Sequence, residues 1–434
     1  MSDLIFIFLT KIDELLWDFI DLLIILLVGI YFTITSKFFQ FRALLKLKPY
    51  IKELIQCSQK ASQGVNPLKL YFASIGGMIG LGNIVTVASA ITFGGPGSII
   101  WLWIASFLGM LVKYSEVYLG IKYRKSNDNK GFDGGPMYYL KSAFKNRGVP
   151  VVVSILLCIY GAEVSQFLIL TDSIVKTFTL NRYLIIFILL LSVTFTSVKG
   201  IKRFATISSI MLPPFMLCYI IIGLWIILDN LLILPKVFSL VFLSFLNYED
   251  CIGGIVSGGT LLSAHYGVSR AVYSGDIGIG YDSIIQSETQ SLQPEKQARM
   301  SIFSLFTDSL VCTISILLLL VTGIWEVKGL QSSEYVVGAL RLYLPSIEYF
   351  TTILFIFAGF TTISGYLVVG QKSAKYLNKR FGSIIYMFYS ILVFIFFSFY
   401  GQEQVIMIMS VSGGLLMLIN IIGVFKLRKK IKFL

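Results

Sequence analysis

Charged residues are scarce in this chain of 434 residues. Only 14% of the residues are Asp, Glu, Lys or Arg, whereas a soluble domain carries about 25%. Hydrophobic residues make up 56% of the chain and aromatic residues 15%. So little charge cannot cover the surface of a soluble protein of this length. The composition therefore predicts an all-α polytopic membrane protein that crosses a lipid bilayer many times.

Residues that carry enzymatic chemistry are also few. His265 is the one histidine, and the five cysteines have no close spacing, which argues against a disulfide framework or a metal site. The chain has no HExxH, no GxSxG and no Walker-type phosphate loop. A cleaved signal peptide is not expected, because Asp3 stands where a basic segment would be needed. These absences predict that the protein is not an enzyme and holds no cofactor.

Long apolar stretches alternate with charged loops along the whole chain. After a short amphipathic lead-in over Met1–Trp17, we expect eleven membrane-spanning helices. Their predicted ranges are Phe19–Ser36, Tyr71–Phe93, Ile99–Ile121, Val151–Leu170, Tyr183–Val198, Ile207–Leu228, Ile252–Tyr273, Ile302–Gly323, Tyr349–Val369, Ser383–Phe399 and Val405–Phe425.

The positive charges lie predominantly in every second loop. Loops such as Lys37–Leu70 and Lys122–Arg147 belong to a set that holds 29 of the 36 Lys and Arg residues, with Arg270 counted among them. The positive-inside rule then places the N-terminus outside and the C-terminus in the cytoplasm. This distribution explains the net charge of +13 as topology, so we expect no nucleic-acid partner.

The segment Tyr71–Gly97 combines the length of a membrane helix with many glycines. Glycine weakens the interior of a helix, and Asn83 directly follows the glycine-rich part. The pattern favours a broken membrane helix whose free backbone groups bind ions or substrate. A seam of small residues between two closely packed helices is the alternative interpretation.

A second glycine-rich segment, Cys251–Gly267, occupies a matching place later in the chain. If the first helix is an addition, the remaining ten form two halves of five, and the two glycine-rich helices are the first and sixth. Interrupted helices at corresponding positions indicate the binding site of an inverted-repeat transporter. We therefore divide the chain into an N-terminal helix and linker (1–70), a first five-helix repeat (71–228) and a second repeat with a cytoplasmic tail (229–434).

Eight short motifs in order resemble the alanine or glycine:cation symporters, whose fold is similar to that of the leucine transporter. The resemblance covers nearly the whole chain. The matching segments are Phe38–Arg42, Gly80–Ile84, Gly94–Trp103, Gly109–Glu116, Gly134–Leu140, Lys199–Ala205, Tyr266–Gly278 and Phe357–Tyr366.

This chain departs from the family pattern around the expected site. Leu81 stands where the family has a threonine, and Leu168 replaces an asparagine two residues after Gln166. The segment Ser274–Gly278 reads SGDIG instead of SNEAG, and Thr361–Tyr366 reads TTISGY instead of TTIIGW. The resemblance therefore implies a divergent member of the family.

Two sets of residues are candidates for binding. Hydroxyl and carbonyl oxygens are hard ligands suited to sodium, although membrane-buried threonines also bond to their own helix and amides also join helices. The candidate cation ligands are Gly76, Gly77, Asn83, Thr361, Thr362 and Ser364. The candidate substrate-binding residues are Gly80, Gly82, Asn83, Gln166, Gly258, Gly259 and Tyr366.

Several charged residues also fall within predicted spans. Glu163 is a candidate coupling acid, because a carboxylate inside the membrane is costly and usually functional; an interfacial position is the alternative. We expect Lys113 and Glu116, three residues apart, to form a structural pair. Asp308 is expected to pair with a cytoplasmic Lys or Arg, and His265 to have a polar neighbour.

Together with the resemblance, these observations favour a sodium-coupled symporter of a bacterial inner membrane, which carries a small neutral amino acid such as alanine or glycine by alternating access. Proton-coupled transport through Glu163 is a second hypothesis. A receptor or scaffold that keeps the fold but does not transport is a third, suggested by the replaced polar residues.

Overall fold

The computed structural model describes residues 2–58, 63–127, 130–246, 260–330, 332–399 and 402–434. These residues form twenty α-helices, numbered α1 to α20 in chain order, and one small sheet. The first twelve helices are α1 (Ser2–Glu14), α2 (Asp21–Thr35), α3 (Phe39–Leu44), α4 (Leu47–Ser58), α5 (Pro67–Met78), α6 (Ala88–Gly94), α7 (Ser98–Lys122), α8 (Pro136–Phe144), α9 (Gly148–Tyr160), α10 (Val164–Phe178), α11 (Arg182–Val198) and α12 (Gly200–Asp229).

The remaining elements complete the second half of the chain. The helices are α13 (Leu234–Leu246), α14 (Thr260–Gly275), α15 (Tyr281–Ile285), α16 (Pro294–Thr322), α17 (Ser332–Arg341), α18 (Ile347–Leu377), α19 (Gly382–Phe397) and α20 (Gln402–Lys426). The π-helical segments are Leu15–Ile20 and Gly82–Thr86, and the 3₁₀ turns are Gln286–Glu288, Ile324–Glu326 and Arg428–Lys430. The strands β1 (Lys125–Ser126) and β2 (Phe132–Asp133) pair antiparallel in the loop after α7.

The helices have the length and composition of a multi-pass membrane protein. Within the described residues, seven helical segments and one bent pair are long and apolar enough to cross a membrane, and α11 and α19 are shorter apolar helices. Together with α14, these elements occupy the places of the eleven predicted spans. Apolar side chains on their outer faces are exposed, such as Leu27, Phe187 and Leu392, as expected where lipid replaces water as the solvent.

The first span is longer than predicted. The lead-in expected over Met1–Trp17 is helical from Ser2 and runs through a π-helical segment into α2. The membrane-spanning stretch is therefore Phe6–Thr35 rather than Phe19–Ser36. Five charged residues near its start lower the hydropathy on which the prediction of the boundary depends: Lys11, Asp13, Glu14, Asp18 and Asp21.

The first core helix is broken, as the glycines predicted. Asn66 caps its start by accepting hydrogen bonds from the N–H groups of Leu68 and Lys69, and Pro67 follows at the first helical position. The helix α5 ends at Met78, and the helical segment Gly82–Gly94 continues at an angle of 48°. The segment is thus two half-helices with a short non-helical connection.

The third core helix is broken as well, which the sequence analysis did not predict. The expected continuous span Val151–Leu170 is two helices, α9 and α10, separated by a turn at Gly161–Glu163. Leucine, isoleucine and valine dominate both sides of this turn, so hydropathy alone gives no sign of the interruption.

The sixth core helix is described only from Thr260 onwards. Of the predicted break Cys251–Gly267, residues 251–259 lie outside the described residues, and residues 260–267 are helical. Gly267 lies inside α14, where a Cβ atom would be 2.4 Å from the Ser98 carbonyl oxygen of α7. This glycine therefore permits close packing of two helices. Arg270, which we expected in a cytoplasmic loop, also lies inside α14.

The broken first core helix lies at the centre of the helix packing. The half-helix α5 packs against α12, α16 and α18, and α18 in turn packs against α9 and α10. The short helix α17 contacts both Gly82–Thr86 and α6. Elements from both halves of the chain thus surround the break.

Candidate functional site

The connection between the two half-helices leaves backbone groups without helical partners. At Ile79 the backbone turns out of the helical conformation, with ψ at 83°. The Gly80 N–H donates to Asn83 Oδ1 at 3.2 Å, and the Leu81 N–H donates to Gln166 Oε1 at 3.0 Å. Two predicted binding residues, Asn83 and Gln166, therefore meet at the break. Their amide oxygens accept hydrogen bonds from backbone N–H groups that could otherwise bind a carboxylate.

A buried carboxylate joins the break to two further helices. Asn83 Nδ2 donates to Asp308 Oδ1 of α16 at 2.5 Å, and Ser274 Oγ of α14 donates to Asp308 Oδ2 at 3.0 Å. The prediction that Asp308 pairs with a cytoplasmic Lys or Arg is wrong, because its oxygens accept these neutral donors. This contact could not be predicted from local sequence patterns, because Asn83 and Asp308 are 225 positions apart in the chain.

The two threonines of α18 behave differently. Thr362 Oγ1 donates to the Gly76 carbonyl oxygen at 3.1 Å and also approaches the Ala358 carbonyl oxygen at 3.1 Å. Thr361 Oγ1 bonds only within its own helix, to the carbonyl oxygens of Phe357 and Ala358. The structure therefore brings Thr362 and Gly76 together across two helices, whereas the Thr361 hydroxyl is occupied by back-bonding.

Two glycines of the first core helix are required by close neighbours. A Cβ atom at Gly80 would lie 2.5 Å from Thr362 Oγ1, and one at Gly77 would lie 2.1 Å from the Tyr281 ring. Gly77 is thus a close-packing position against Tyr281. Ser364 Oγ, a further predicted cation ligand, is buried and has no hydrogen-bond partner among the described residues.

Gly82, another predicted binding residue, has more space around it than Gly80. A Cβ atom at Gly82 would have the Tyr273 ring as its nearest neighbour at 3.4 Å, an ordinary contact distance. Gly258 and Gly259 lie outside the described residues.

Glu163 lies at the break in the third core helix. It is 2% exposed, has a positive φ of 25°, and accepts a hydrogen bond from Ser165 Oγ at 3.4 Å. The following helix α10 begins at Val164 and carries Gln166 in its first turn. The break therefore holds a buried carboxyl group next to the residue that contacts the first core helix.

Tyr366 belongs to a different cluster from the one predicted. Its hydroxyl donates to Asp276 Oδ1 at 2.7 Å, and its ring contacts the rings of Tyr160 and Tyr281. Asp276 follows the end of α14 and has a positive φ of 50°. The Tyr366 hydroxyl is therefore committed to this acid.

Lys113 of α7 is fully buried within the same cluster. Its Nζ donates to the Gly275 carbonyl oxygen at 2.5 Å and lies 3.3 Å from Asp282 Oδ2 and 3.9 Å from Asp276 Oδ2. Asp282 also accepts a hydrogen bond from Ser74 of α5. The lysine thus joins α7 to the end of α14, and Asp282 joins it to the first half-helix.

The predicted pair between Lys113 and Glu116 is wrong. Glu116 Oε1 instead accepts a hydrogen bond from Asn420 Nδ2 of α20 at 2.7 Å. Spacing of three residues placed both side chains on one face of α7, but acids from the second half of the chain compete for the lysine. Asp276 and Asp282 were missed as its partners, although Asp276 lies inside the motif Tyr266–Gly278.

His265 lies beside a small polar cavity of about 120 Å³. Arg270 and Tyr273 of the same helix line it, together with Asp13 and Trp17 from the N-terminal helices. Tyr273 also faces Gly82, so this cavity lies directly behind one wall of the break. The histidine has a polar or aromatic environment, which includes the Tyr266 ring.

The donor set at the break suits a small hard cation better than a transition metal. Among the described residues, no three His, Cys, Asp or Glu side chains could hold a metal ion together. The oxygens near the break are the Gly76 and Ala358 carbonyls and the Thr362 hydroxyl. Neutral oxygens of this kind bind alkali cations, which need no thiolate or imidazole ligand.

Comparison with known proteins gives a consistent result. The family model described as the sodium:alanine symporter family matches residues 2–433. An uncharacterized transporter of Haemophilus influenzae is 30% identical over 98% of this chain and 94% of its own length. The sodium/alanine symporter AgcS of Methanococcus maripaludis is 27% identical over 96% of this chain and 93% of its own length.

The fold itself is similar to that of solved transporters. The crystal structure of MhsT in complex with L-phenylalanine superposes with a TM-score of 0.55 and 16% identity, covering 82% of this chain and 88% of that one. At this level of identity the likeness establishes the leucine-transporter-like fold of this chain.

Proposed function

Because the chain belongs to the sodium:alanine symporter family and is a membrane transporter rather than an enzyme, we propose that it couples sodium entry to the uptake of a small neutral amino acid of the alanine or glycine class. The observation that carries this proposal is the meeting of the Thr362 hydroxyl with the Gly76 carbonyl oxygen at the broken first core helix. Sodium and the amino acid are then the substrates, and no further cofactor is needed.

The proposed cation position lies between α5 and α18. The Thr362 hydroxyl reaches carbonyl oxygens on both helices, at 3.1 Å in each case. A sodium ion between these oxygens would replace the hydroxyl's own hydrogen bond and hold the two helices together. The Ser364 hydroxyl of the same helix is buried without a hydrogen-bond partner among the described residues, but it is two residues from Thr362 and points away from this position.

The proposed amino-acid position is the break itself. A substrate carboxylate would displace the amide oxygens of Gln166 and Asn83 from the N–H groups of Leu81 and Gly80. The Gln166 amide, once free, could hold the substrate. The narrow space at Gly80, where a Cβ atom would already contact Thr362, favours a small side chain on the substrate.

We propose that transport works by alternating access of the two repeats. On one side, α17 covers the broken helix through contacts with Gly82–Thr86 and α6. On the other side, Asp282 bonds to Ser74 of α5, and Tyr281 donates to the Ala73 carbonyl oxygen at 2.9 Å. Breaking the second set of contacts would release α5 and open the site to the opposite face.

Proton coupling is the second candidate function, and one observation favours it. Glu163 is a buried carboxyl group at a helix break, directly before the helix that carries Gln166. An acid in this position could exchange a proton as the substrate binds and leaves.

Uptake by the purified full-length protein in proteoliposomes would separate these candidates. We expect accumulation of radiolabelled alanine or glycine when sodium is present outside at high concentration, and none when choline replaces sodium. Accumulation driven by a proton gradient without sodium would contradict the proposal and favour the Glu163 alternative. Folded protein that transports neither amino acid under either gradient would contradict both.

The proposed orientation in a bacterial inner membrane has the N-terminus outside. A cysteine at Ser126, in the loop after α7, should be protected from a membrane-impermeant maleimide in intact cells. A cysteine at Leu342, which is exposed after α17, should react. The unmodified chain gives the background from its own cysteines. The reverse pattern would overturn the orientation.

A further inference from the structure

A cavity of about 540 Å³ opens beside the loop between α11 and α12, away from the broken helices. Its wall includes the start of α12, the end of α18 and the small sheet after α7. Five cationic side chains line it: Lys199, Lys202, Arg203, Lys372 and Lys375. Asp133 and Glu288 are the acidic side chains among its described lining residues.

Both acids already form ion pairs with two of the cations, Lys372 and Lys375. Lys372 Nζ donates to Asp133 Oδ1 at 2.8 Å and to Glu288 Oε1, and Lys375 Nζ lies 3.2 Å from Asp133 Oδ2. Burial acts to raise the pKa of the Asp133 carboxyl group, but Lys372, Asn127 and Lys375 together lower it below its usual value. Asp133 therefore remains ionised and compensates these lysines.

The other three cations have no such compensation. Within the described residues, Lys199, Lys202 and Arg203 form no ion pair, and the Arg203 guanidinium instead lies 3.5 Å from the centre of the Phe195 ring. Gly200, the first residue of α12, lines the same cavity, so the positive end of a thirty-residue helix adds to the field. This side of the cavity attracts an anion.

The border of the cavity is apolar and exposed. Val198 lines it from α11 and Ser383 from α19, and their neighbours Phe195 and Ile384 are 61% and 56% exposed. In a membrane protein such side chains contact acyl chains. An anion bound here would therefore sit at the edge of the bilayer, on the side where the positive-inside rule places the cytoplasm.

We propose that this cavity binds the headgroup of an anionic phospholipid, with its acyl chains along α11 and α19. The lipid phosphate meets Lys199, Lys202 and Arg203, and the apolar border meets its tails. Anionic lipids recognised by basic clusters between helices at the cytoplasmic surface follow the same physical chemistry. A soluble phosphate shares the charge but does not need the apolar border, which is why we assign the site to a lipid. The proposal does not depend on which amino acid or ion the protein carries.

The test measures how tightly the purified full-length protein retains phosphatidylglycerol, compared with phosphatidylcholine, in native mass spectrometry. Replacing Lys199, Lys202 and Arg203 together with Gln should weaken retention of phosphatidylglycerol roughly 100-fold, with little effect on phosphatidylcholine. The matched control replaces Lys125, Lys141 and Lys145 with Gln. These three lysines are exposed on the same predicted side and lie outside the cavity, and their loss changes the net charge equally.

The outcomes are distinct. Loss in the cavity variant with retention in the control supports the proposal. Equal loss in both variants would show general attraction to a positive surface, and no loss in either would show that the lipid binds elsewhere; each overturns the proposal. Displacement of phosphatidylglycerol by an equal concentration of inorganic phosphate would assign the cavity to a free anion and also overturn it. If the triple variant does not fold, Lys202→Gln alone should weaken retention about five-fold.

Discussion

Two neighbouring helices of this transporter are interrupted, and the interruptions are built differently. The break in the first core helix, at Ile79–Leu81, is surrounded by glycines that neighbouring side chains approach closely. The break in the third core helix, at Gly161–Glu163, ends in a buried carboxyl group with a positive φ. The first is visible in the sequence as a run of glycines, whereas the second lies within an unremarkable apolar stretch.

The glycines of a broken helix indicate where a neighbouring group approaches the backbone closely. At Gly80 the requirement is space, because Thr362 Oγ1 would be 2.5 Å from a Cβ atom. At Gly82, only two residues away, the nearest atom would be 3.4 Å distant. Glycines in such a segment therefore mark close approach of a neighbour as much as the bend itself. The third core helix has one such glycine at its break, Gly161, where a Cβ atom would lie 2.9 Å from both the Tyr366 carbonyl oxygen and the Tyr386 hydroxyl.

The strongest test of this distinction compares Gly80→Ala with Gly82→Ala. The first places a methyl group against Thr362 and near Gln166, so it should abolish sodium-driven accumulation of the amino acid. The second adds the same methyl group to the same break without a clash. It should keep at least about half of the uptake, since the nearest atom lies at an ordinary contact distance from the added methyl group.

Both variants need equal amounts of folded protein in the membrane, measured by size-exclusion chromatography, before uptake is compared. Equal activity of the two variants would show that the close approach of Thr362 to Gly80 has no functional importance. Equal loss would show that the break itself tolerates no substitution.

The fold and the location of the first break could be predicted from local patterns. Hydropathy predicts the spans, and the paired glycine runs predict an inverted repeat. The contacts between distant segments could not be predicted in this way. Lys113 lies on the same face as Glu116, yet it binds Asp282, 169 positions later in the chain. The spacing of residues along one helix does not predict which of several buried acids will contact a lysine.

The candidate cation site was predicted in composition but not in detail. The sequence presents Thr361 and Thr362 as equivalent hydroxyls, and only the helix rotation distinguishes them. Because successive residues on a helix point about 100° apart, one threonine faces α5 while the other bonds within α18. The second paired break, around Gly258 and Gly259, stays a prediction.

Substitutions of the two threonines provide the next test, for which we expect an effect of intermediate magnitude. Thr362→Val removes a hydroxyl that spans two helices, so the sodium concentration for half-maximal uptake should rise roughly ten-fold. Thr361→Val keeps the shape and removes only a bond within the helix, and it should leave sodium dependence within about two-fold of the unmodified protein. The measurement is initial uptake against sodium concentration. A larger shift in the Thr361 variant would place the ion on the other face of α18.

The smallest effect is expected at the break of the third core helix. Glu163→Gln keeps the size of the side chain and the hydrogen bond from Ser165 but cannot titrate. Under sodium coupling, the variant should still accumulate substrate, with an apparent affinity changed by no more than about five-fold, because the proposed ion ligands, at Gly76 and Thr362, do not include Glu163. Under proton coupling, it should lose uphill accumulation and keep exchange of substrate across the membrane. We expect the first result, because the cation position proposed at the first break needs no oxygen from Glu163. Measuring accumulation and exchange in the same proteoliposomes separates the two coupling mechanisms. Exchange without accumulation would show that Glu163, in the third core helix, couples transport to protons.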